Sequence, residues 1–326
     1  MKLGLVPHLI NWFPAPVEAV PVLSRGEGRA LRPGDEFTAL TWNIQYAASH
    51  RYTFFYDDGP TVAVPAEVVH ETLAAIAGVL REVDADLVLL QEVDRGARRT
   101  AGIDELALLW DKLDYPQWAG CAYHRSAYVP KPLREPMGRV EMWMVSFSRL
   151  AIQRAERRAL VALQEPWIVR RFNLKRAILS AQVGGLRLAN VHLSAFANGD
   201  GTVPKQIAAL KAWMGEGPNW LVGGDFNALP PRDDPARLGR WAKEYADTTP
   251  PLAELLPDVG SAIPLERLLL PENRSYLPPG AQEPDRVLDY LFHSPSVEVL
   301  ESRVLKIAPW ISDHLPVWGR FRYHGS

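Results

Sequence analysis

One stretch of the chain, residues 66–83, has the apolar spacing of an amphipathic helix. Its apolar residues recur at every third or fourth position, at Val69, Leu73, Ile76, Leu80 and Val83. This spacing places them on one face of an α-helix. The same pattern predicts helices over 103–113 and 204–214, and the second of these opens at a proline.

Apolar runs of strand length alternate with these helices. The predicted strands are 37–44, 86–93, 140–147, 186–193, 220–224, 287–292, 303–307 and 317–323. Strands that alternate with helices are typical of the α/β class, in which helices cover the faces of a sheet. Two sheets flanked by helices would accommodate this order of elements.

Proline is frequent before the first of these strands. We therefore interpret residues 1–34 as an irregular, proline-rich extension and residues 35–326 as a single domain. The apolar start of the chain is interrupted at Pro7 and His8, and no stretch reaches the roughly 18 apolar residues that cross a membrane. The expected location is cytoplasmic.

Composition narrows the possible classes further. Hydrophobic residues make up 47% of the chain and charged residues 23%, which excludes intrinsic disorder as the main state. Lys and Arg total 36 against 38 for Asp and Glu. This balance excludes a non-specific nucleic-acid coat protein, but it leaves room for an enzyme whose acidic metal site offsets a basic substrate face. A single cysteine, Cys121, excludes an intrachain disulfide.

Acidic, amide and histidine residues occur where the predicted strands end, which is where open sheets place their active sites. The set is Asn43, Glu92, His192, Asp225, Asn227, Asp289, Asp313 and His314. Taken singly, Asn and Asp are common turn residues and need no further explanation. Two carboxylates at the edge of a buried core, Glu92 and Asp225, are costly unless a cation or a hydrogen-bond donor compensates them.

Six short motifs in the chain resemble those of the endonuclease/exonuclease/phosphatase superfamily, in the same order. They are WNIQ (42–45), LLQEVD (89–94), VHLSA (191–195), GDFN (224–227), LDYLF (288–292) and SDHLPV (312–317). The superfamily includes deoxyribonuclease I, apurinic endonucleases, neutral sphingomyelinases and inositol-polyphosphate phosphatases. The resemblance implies a four-layer α/β/β/α sandwich of two packed mixed sheets flanked by helices.

The resemblance also implies a metal site. Glu92 would be the principal ligand of a divalent cation, supported by Asn43 and Asp313. Carboxylate and amide oxygens suit Mg²⁺ or Mn²⁺, which are hard cations.

Catalytic roles carry over in the same way. Asp225 and Asn227 would orient the attacking water and hold phosphoryl oxygens. His314, paired with Asp289, would act as the base or as an electrostatic partner of the phosphate. His192 would donate a proton to the leaving oxygen or bind a non-bridging oxygen, as in the deoxyribonuclease and sphingomyelinase branches.

Arginines near the predicted strand ends are candidates for binding the substrate. Arg99 could reach a phosphate as a fork donor, with a surface salt bridge as the alternative, and Arg139 lies in a comparable segment. Glu105 stands where related sequences commonly have Gln. Local basic patches occur at Arg157-Arg158 and at Arg170-Arg171 with Lys175-Arg176. We interpret them as solvated faces, with contacts along a phosphate backbone as the weaker alternative.

These observations predict a Mg²⁺- or Mn²⁺-dependent phosphodiesterase, with an endonuclease acting on DNA as the leading interpretation. The alternatives are a sphingomyelinase-like or phosphoinositide phosphohydrolase with a phospholipid substrate, a tyrosyl-DNA phosphodiesterase, and a catalytically silent binding module. No stable protein partner is implied. The chain lacks the glycine-rich loops of nucleotide-binding folds and any histidine pair with zinc-ligand spacing.

Overall fold

Two β-sheets form the centre of the molecule. The computed structural model describes residues 12–195, 197, 199–245, 252, 255 and 259–325. Within them the strands are β1 (Val17–Val20), β2 (Val22–Ser24), β3 (Glu36–Asn43), β4 (Leu87–Asp94), β5 (Gln117–Val129), β6 (Gly138–Ser148), β7 (Ile152–Ala159), β8 (Ala177–Val183), β9 (Leu186–His192), β10 (Trp220–Asp225), β11 (Gly260–Ser261), β12 (Asp289–His293), β13 (Val297–Val304) and β14 (Val317–Tyr323).

Each sheet has seven strands in the described part of the chain. One sheet has the order β1-β7-β8-β9-β10-β12-β11, and the other has the order β13-β14-β3-β4-β6-β5-β2. Both are mixed, since β9 and β10 pair in parallel, as do β3 and β4, among otherwise antiparallel neighbours. We refer to them as the β9–β10 sheet and the β3–β4 sheet.

Helices cover the outer faces of both sheets. The described α-helices are α1 (Ala66–Val83), α2 (Glu105–Lys112), α3 (Trp167–Phe172), α4 (Thr202–Met214) and α5 (Leu265–Leu268). The apolar faces of α1 and α2 share one buried cluster with Leu40 and Trp42 of β3. The apolar face of α4 belongs to a second cluster, which also includes Phe37 and Ala39 of β3. Alternate residues of β3 therefore face a helix layer and the opposite sheet, and the four-layer sandwich is confirmed.

The directions of the strands explain how the site is positioned. The parallel strands β3 and β4 both end at the same edge of their sheet, and β9 and β10 both end at the same edge of theirs. The antiparallel strand β12 begins at that edge, because Asp289 pairs with Asp225 in register. Polar side chains from both sheets can therefore meet at one end of the sandwich.

The structure corrects several element predictions. Residues 17–20 and 22–24 are strands that pair with β7 and β5, so the described part of the proline-rich extension is not irregular throughout. The strand expected at 303–307 instead spans Val297–Val304. Strands β5, β7, β8 and β11 and helices α3 and α5 were not predicted. The division of the chain at residue 35 stays an interpretation.

Among the described residues, no helix is both long enough and apolar enough to span a membrane.

Candidate active site

Three predicted site residues form a row across the β9–β10 sheet. His192 ends β9, Asp225 ends β10 and Asp289 begins β12, and Asp225 is the register partner of both of the others. Because neighbouring residues on paired strands project from the same face, the three side chains lie side by side. His192 Nε2 lies 3.3 Å from Asp225 Oδ2.

Asn43 and Glu92 occupy the matching edge of the β3–β4 sheet. Asn43 ends β3 and pairs in register with Gln91. Glu92 follows at a β-bulge, where the register of β4 against β6 shifts between Leu90 and Val93. Its φ of +58° lies in the left-handed region, which costs a residue with a side chain about 1–2 kcal/mol. The bulge redirects the Glu92 side chain at the point where the strand leaves the core.

Hydrogen bonds join the two sheet edges. Asn43 Nδ2 donates to Asp225 Oδ2 at 3.1 Å, and Asn43 Oδ1 accepts from the Gln45 backbone N–H at 3.0 Å. The loop before β14 brings Asp313 to the same place, and its backbone N–H donates to Gln45 Oε1 at 3.2 Å. Asn227 Nδ2 donates to the Leu193 carbonyl at 3.1 Å, which ties the loop after β10 to the end of β9.

His314 and Asp289 form a buried pair. His314 Nδ1 lies 2.7 Å from Asp289 Oδ2, and that oxygen also accepts a hydrogen bond from Ser275 Oγ at 2.7 Å. His314 Nε2 lies 3.7 Å from Asp225 Oδ2. Burial opposes a charge on His314, but Asp289, Asp225 and Asp313 outweigh it and hold the His314 pKa well above its usual value.

His192 has the opposite electrostatic setting. Burial lowers its pKa well below the usual value, and the positive charges of Arg176 and His314 lower it further. His192 Nδ1 lies 3.1 Å from the hydroxyl of Tyr123, which also accepts from the Glu92 backbone N–H at 3.2 Å. The pKa values of the two histidines are thus shifted in opposite directions, a difference that suits them to different roles.

The carboxylates repel one another. Burial raises the pKa of Glu92, of Asp225 and of Asp313, in the last case to about 8. The Glu92 charge contributes to the rise at Asp313, and the Asp289 charge contributes to the rise at Asp225. A bound cation would remove these penalties, because an opposite charge favours the ionised form of each acid.

The oxygen donors of Asn43, Glu92, Asp225 and Asp313 therefore fit a hard divalent cation. A more compact group that could also hold an ion is Asp225, Asp289 and His314, whose ligand atoms all lie within 4.8 Å of one another. There, His314 Nδ1 is already bonded to Asp289 at 2.7 Å. An ion on this second group would have to use His314 Nε2 as a ligand, whereas the first group supplies only the hard oxygen donors that Mg²⁺ and Mn²⁺ prefer, so the oxygen set is the better candidate.

The two predicted substrate-binding arginines have different surroundings. Arg99 is buried, and its Nε and Nη2 donate to the two carboxylate oxygens of Asp94 at 2.8 and 2.9 Å. Its fork is therefore held by Asp94, in the buried form of the salt bridge given above as the alternative to phosphate binding. Arg139 is exposed over 58% of its side chain and pairs with Glu141 at 3.0 Å, near the surface rather than within the site.

Other residues of the site were not singled out by the sequence. Ser275 and Gln45 position Asp289 and Asp313, and Tyr123 bonds both His192 and Glu92. Arg176 was expected on a solvated face but is buried. The available signal for Gln45 was its place in the WNIQ motif, two residues after Asn43, whereas Ser275 and Arg176 gave none.

Comparison with known proteins agrees with this architecture. The sequence profile of the Endonuclease/Exonuclease/phosphatase family matches residues 40–314. No curated protein sequence matches the chain.

Several solved structures are similar to this chain. An endonuclease/exonuclease/phosphatase from Beutenbergia cavernae has a TM-score of 0.59 at 20% identity, with 89% of this chain and 72% of that chain covered. A 3′ phosphatase, NExo from Neisseria, bound to a product DNA hairpin, has a TM-score of 0.54 at 15% identity, covering 88% and 100%. TDP2 of D. rerio, complexed with a single-strand DNA product, has a TM-score of 0.55 at 16% identity, covering 88% and 99%.

Identities this low establish the fold alone, but the profile match spans most of the chain. The chain belongs to the endonuclease/exonuclease/phosphatase family.

Proposed function

We propose that this protein is a divalent-metal-dependent phosphodiesterase that hydrolyses nucleic acid, with DNA as the favoured substrate. The observation that carries the proposal is the convergence of residues from both sheets at one edge of the sandwich. Asn43 Nδ2 donates a hydrogen bond of 3.1 Å to Asp225 Oδ2. This bond links the oxygen donors of one sheet to the carboxylate that lies beside both histidines. Phosphodiester hydrolysis requires charge neutralisation together with groups that hold and move protons.

Asn43, Glu92 and Asp313 would hold the Mg²⁺ or Mn²⁺ ion, and Asp225 is linked to this set by its hydrogen bond with Asn43. When bound, the cation would neutralise charge that develops on the phosphoryl oxygens. The raised pKa values of Glu92 and Asp313 support this assignment, since buried acids without a compensating charge are costly.

The histidines would act on the phosphate group. His192 Nε2 lies 3.3 Å from Asp225 Oδ2, which favours the tautomer with the proton on Nε2, and this N–H would donate a hydrogen bond to a non-bridging oxygen. His314, paired with Asp289 at 2.7 Å, would provide a positive charge beside the phosphate. Asp225 and Asn227 would orient the attacking water.

Exposed arginines beyond the site support a DNA substrate. Arg125 and Arg139 lie on β5 and β6, and their side chains are 55% and 58% exposed. Asp94, at the end of β4, pairs with Met142, so the part of β6 before residue 142 extends past the edge that carries Glu92. Contacts from these arginines would be to phosphates, so cleavage should show little sequence preference.

The first test is metal dependence. Excess EDTA should abolish hydrolysis of plasmid DNA, and Mg²⁺ or Mn²⁺ should restore it. Glu92→Gln should weaken metal binding measured by calorimetry, because the amide cannot supply a carboxylate charge. Full activity in excess EDTA would contradict the proposed chemistry.

The second test is the salt dependence of DNA binding. Each phosphate contact releases counterions, so Arg139→Ala should make the slope of log affinity against log salt shallower by about one. Arg322→Ala is the matched control, since Arg322 pairs with Glu36 at the opposite end of β3. An unchanged slope in the Arg139 variant would remove that residue from the DNA interface.

A lipid phosphodiesterase is a second candidate, favoured by one exposed apolar segment. On α3, Trp167 and Ile168 are 60% and 51% exposed, next to Arg170 and Arg171. Aromatic and aliphatic side chains beside basic ones are typical of membrane-surface contacts. Hydrolysis of sphingomyelin vesicles and of DNA should be measured side by side. Vesicle turnover that is lost in Trp167→Ala, with no DNA cleavage, would favour this candidate.

A further inference from the structure

Arg176 is a buried arginine beside the candidate site whose side chain has no hydrogen bond or ion pair among the described residues. It is 7% exposed, and its Nη1 is fully buried without a hydrogen-bond partner. The guanidinium carbon lies 5.3 Å from the centre of the Tyr123 ring. A buried charge is rarely left without a counter-charge, so a ligand is the natural source of one.

Other buried arginines of the described chain are satisfied by the protein itself. Arg99 forms two hydrogen bonds with Asp94. Arg157 donates to two backbone carbonyls at 3.1 and 2.8 Å, and Arg286 donates to its neighbouring carboxylate at 2.6 Å. Arg176 differs from all three, although it shares their burial.

The contacts and backbone position of Arg176 place it beside the candidate site. The Tyr123 ring beside it carries the hydroxyl that bonds His192 and the Glu92 backbone. The charge of Arg176 acts on the pKa of Glu92 and of His192, as expected for a guanidinium within electrostatic reach of both. Arg176 precedes β8, whose residue Ile178 pairs with Val191 of β9, so its backbone lies at the same sheet edge as His192.

We propose that Arg176 binds an anionic oxygen of the phosphate group in the substrate. The guanidinium presents donors in a planar fork that matches phosphate, and charge-assisted hydrogen bonds of this kind are stronger than neutral ones. Arg176 thus takes the role that the sequence suggested for Arg99. The proposal rests on the proposed function, because it takes the ligand to be a phosphoryl group.

Inorganic phosphate is the probe that tests this proposal. Calorimetric titration in the presence of Mg²⁺ should show binding to the wild type, and Arg176→Met should weaken it roughly 10- to 100-fold, the loss expected for hydrogen bonds to a charged group. Arg176→Lys should retain an intermediate affinity, because it keeps the charge without the fork. Arg157→Met is the matched control, as it removes a buried arginine that already has partners.

Stability provides a second measurement that does not depend on turnover. Without phosphate, Arg176→Met should lower the urea midpoint less than Arg157→Met does, since Arg157 loses hydrogen bonds to backbone carbonyls whereas Arg176 Nη1 has no partner to lose. Phosphate should raise the unfolding midpoint of the wild type more than that of the variant. Equal phosphate affinity in the two proteins, including no binding to either, would overturn the assignment of Arg176. DNA hydrolysis by the wild type in that case would leave the proposed function standing.

Discussion

Tyr123→Phe removes one oxygen atom that connects two parts of the site. The Tyr123 hydroxyl accepts from the Glu92 backbone N–H at 3.2 Å and lies 3.1 Å from His192 Nδ1. Because the N–H is the donor in the first bond, the hydroxyl proton is available for Nδ1. His192 is then held with its own proton on Nε2, the nitrogen 3.3 Å from Asp225 Oδ2.

Two effects of the substitution can be estimated. The Glu92 N–H would lose its partner in a partly buried setting, which should lower the free energy of unfolding by about 1 kcal/mol, the low end of the cost of an unsatisfied donor. The loss of the bond to Nδ1, worth about 1 kcal/mol, would change the ratio of the two His192 tautomers about fivefold. Turnover should fall more than substrate affinity, because the misplaced proton affects only a group that contacts the reacting phosphate.

Long-range ¹H–¹⁵N correlation NMR reports which ring nitrogen of His192 is protonated. We expect the Nε2–H tautomer in the wild type and a measurable share of the Nδ1–H tautomer in Tyr123→Phe. Tyr115→Phe is the matched control, since Tyr115 is equally buried and donates to the Ala85 carbonyl at 2.8 Å. It should lose stability without changing the His192 spectrum.

Two results would refute this reasoning. A wild-type spectrum with the proton on Nδ1 of His192 would mean that the Tyr123 hydroxyl is an acceptor in both contacts. An unchanged tautomer and an unchanged rate in Tyr123→Phe would mean that Asp225 alone fixes the histidine, with Tyr123 serving only to fill space.

Two further predictions concern buried titratable groups away from the phosphate. Burial and the charge of Asp94 hold the pKa of Glu105 well above its usual value, so the folded state keeps its proton and loses stability as pH rises above about 4.5. Glu105→Gln should therefore raise the urea midpoint at pH 7, and a lower midpoint there would contradict this. Burial lowers the pKa of His124 to about 3, so the stability present above pH 6.5 is lost as pH falls, by about 2 kcal/mol at pH 5. His124→Gln can still donate to the Phe172 carbonyl, so it should make the free energy of unfolding less dependent on pH between pH 6.5 and 4. An unchanged pH dependence would show that other groups dominate.

The elements that sequence patterns predicted well are those with one uniform environment. Helix α1 matches its predicted bounds of 66–83 because its apolar residues all face one sheet. Strand β4 begins with an unbroken apolar run over residues 87–90 because both of its faces are covered there. The apolar pattern of such segments reflects their environment, so their position could be predicted without knowing their neighbours.

The missed strands have mixed environments. β7 carries Arg154, Arg157 and Arg158 among few apolar residues, and β5 changes from buried to exposed positions along its length. Both lie towards the edges of their sheets, where pairing with β1 and β2 depends on segments far away in the chain. Local periodicity cannot predict such a strand, because its stability depends on partners that are distant in the sequence.

The same distinction applies to the candidate site, where some residues could be located from the sequence and others could not. Strand-end logic brought Asn43, Glu92, His192 and Asp225 together correctly, because parallel strands necessarily end at a common edge. It could not rank the arginines, since Arg99 and any other arginine present the same chemistry until their partners are known.

Partners decide whether a buried charge is structural or available for a ligand. Arg157 and Arg176 both occur in basic pairs of the sequence, and both are buried in the structure. Arg157 donates hydrogen bonds to backbone carbonyls, so its guanidinium is satisfied within the fold. Arg176 has one fully buried nitrogen with no hydrogen-bond partner. The same holds for acids: Asp94 is satisfied by Arg99, but burial and the Glu92 charge leave Asp313 with a raised pKa. Arg176 and Asp313 both act electrostatically on Glu92 or are acted on by it, and a metal–phosphate pair is the ligand that would compensate both charges.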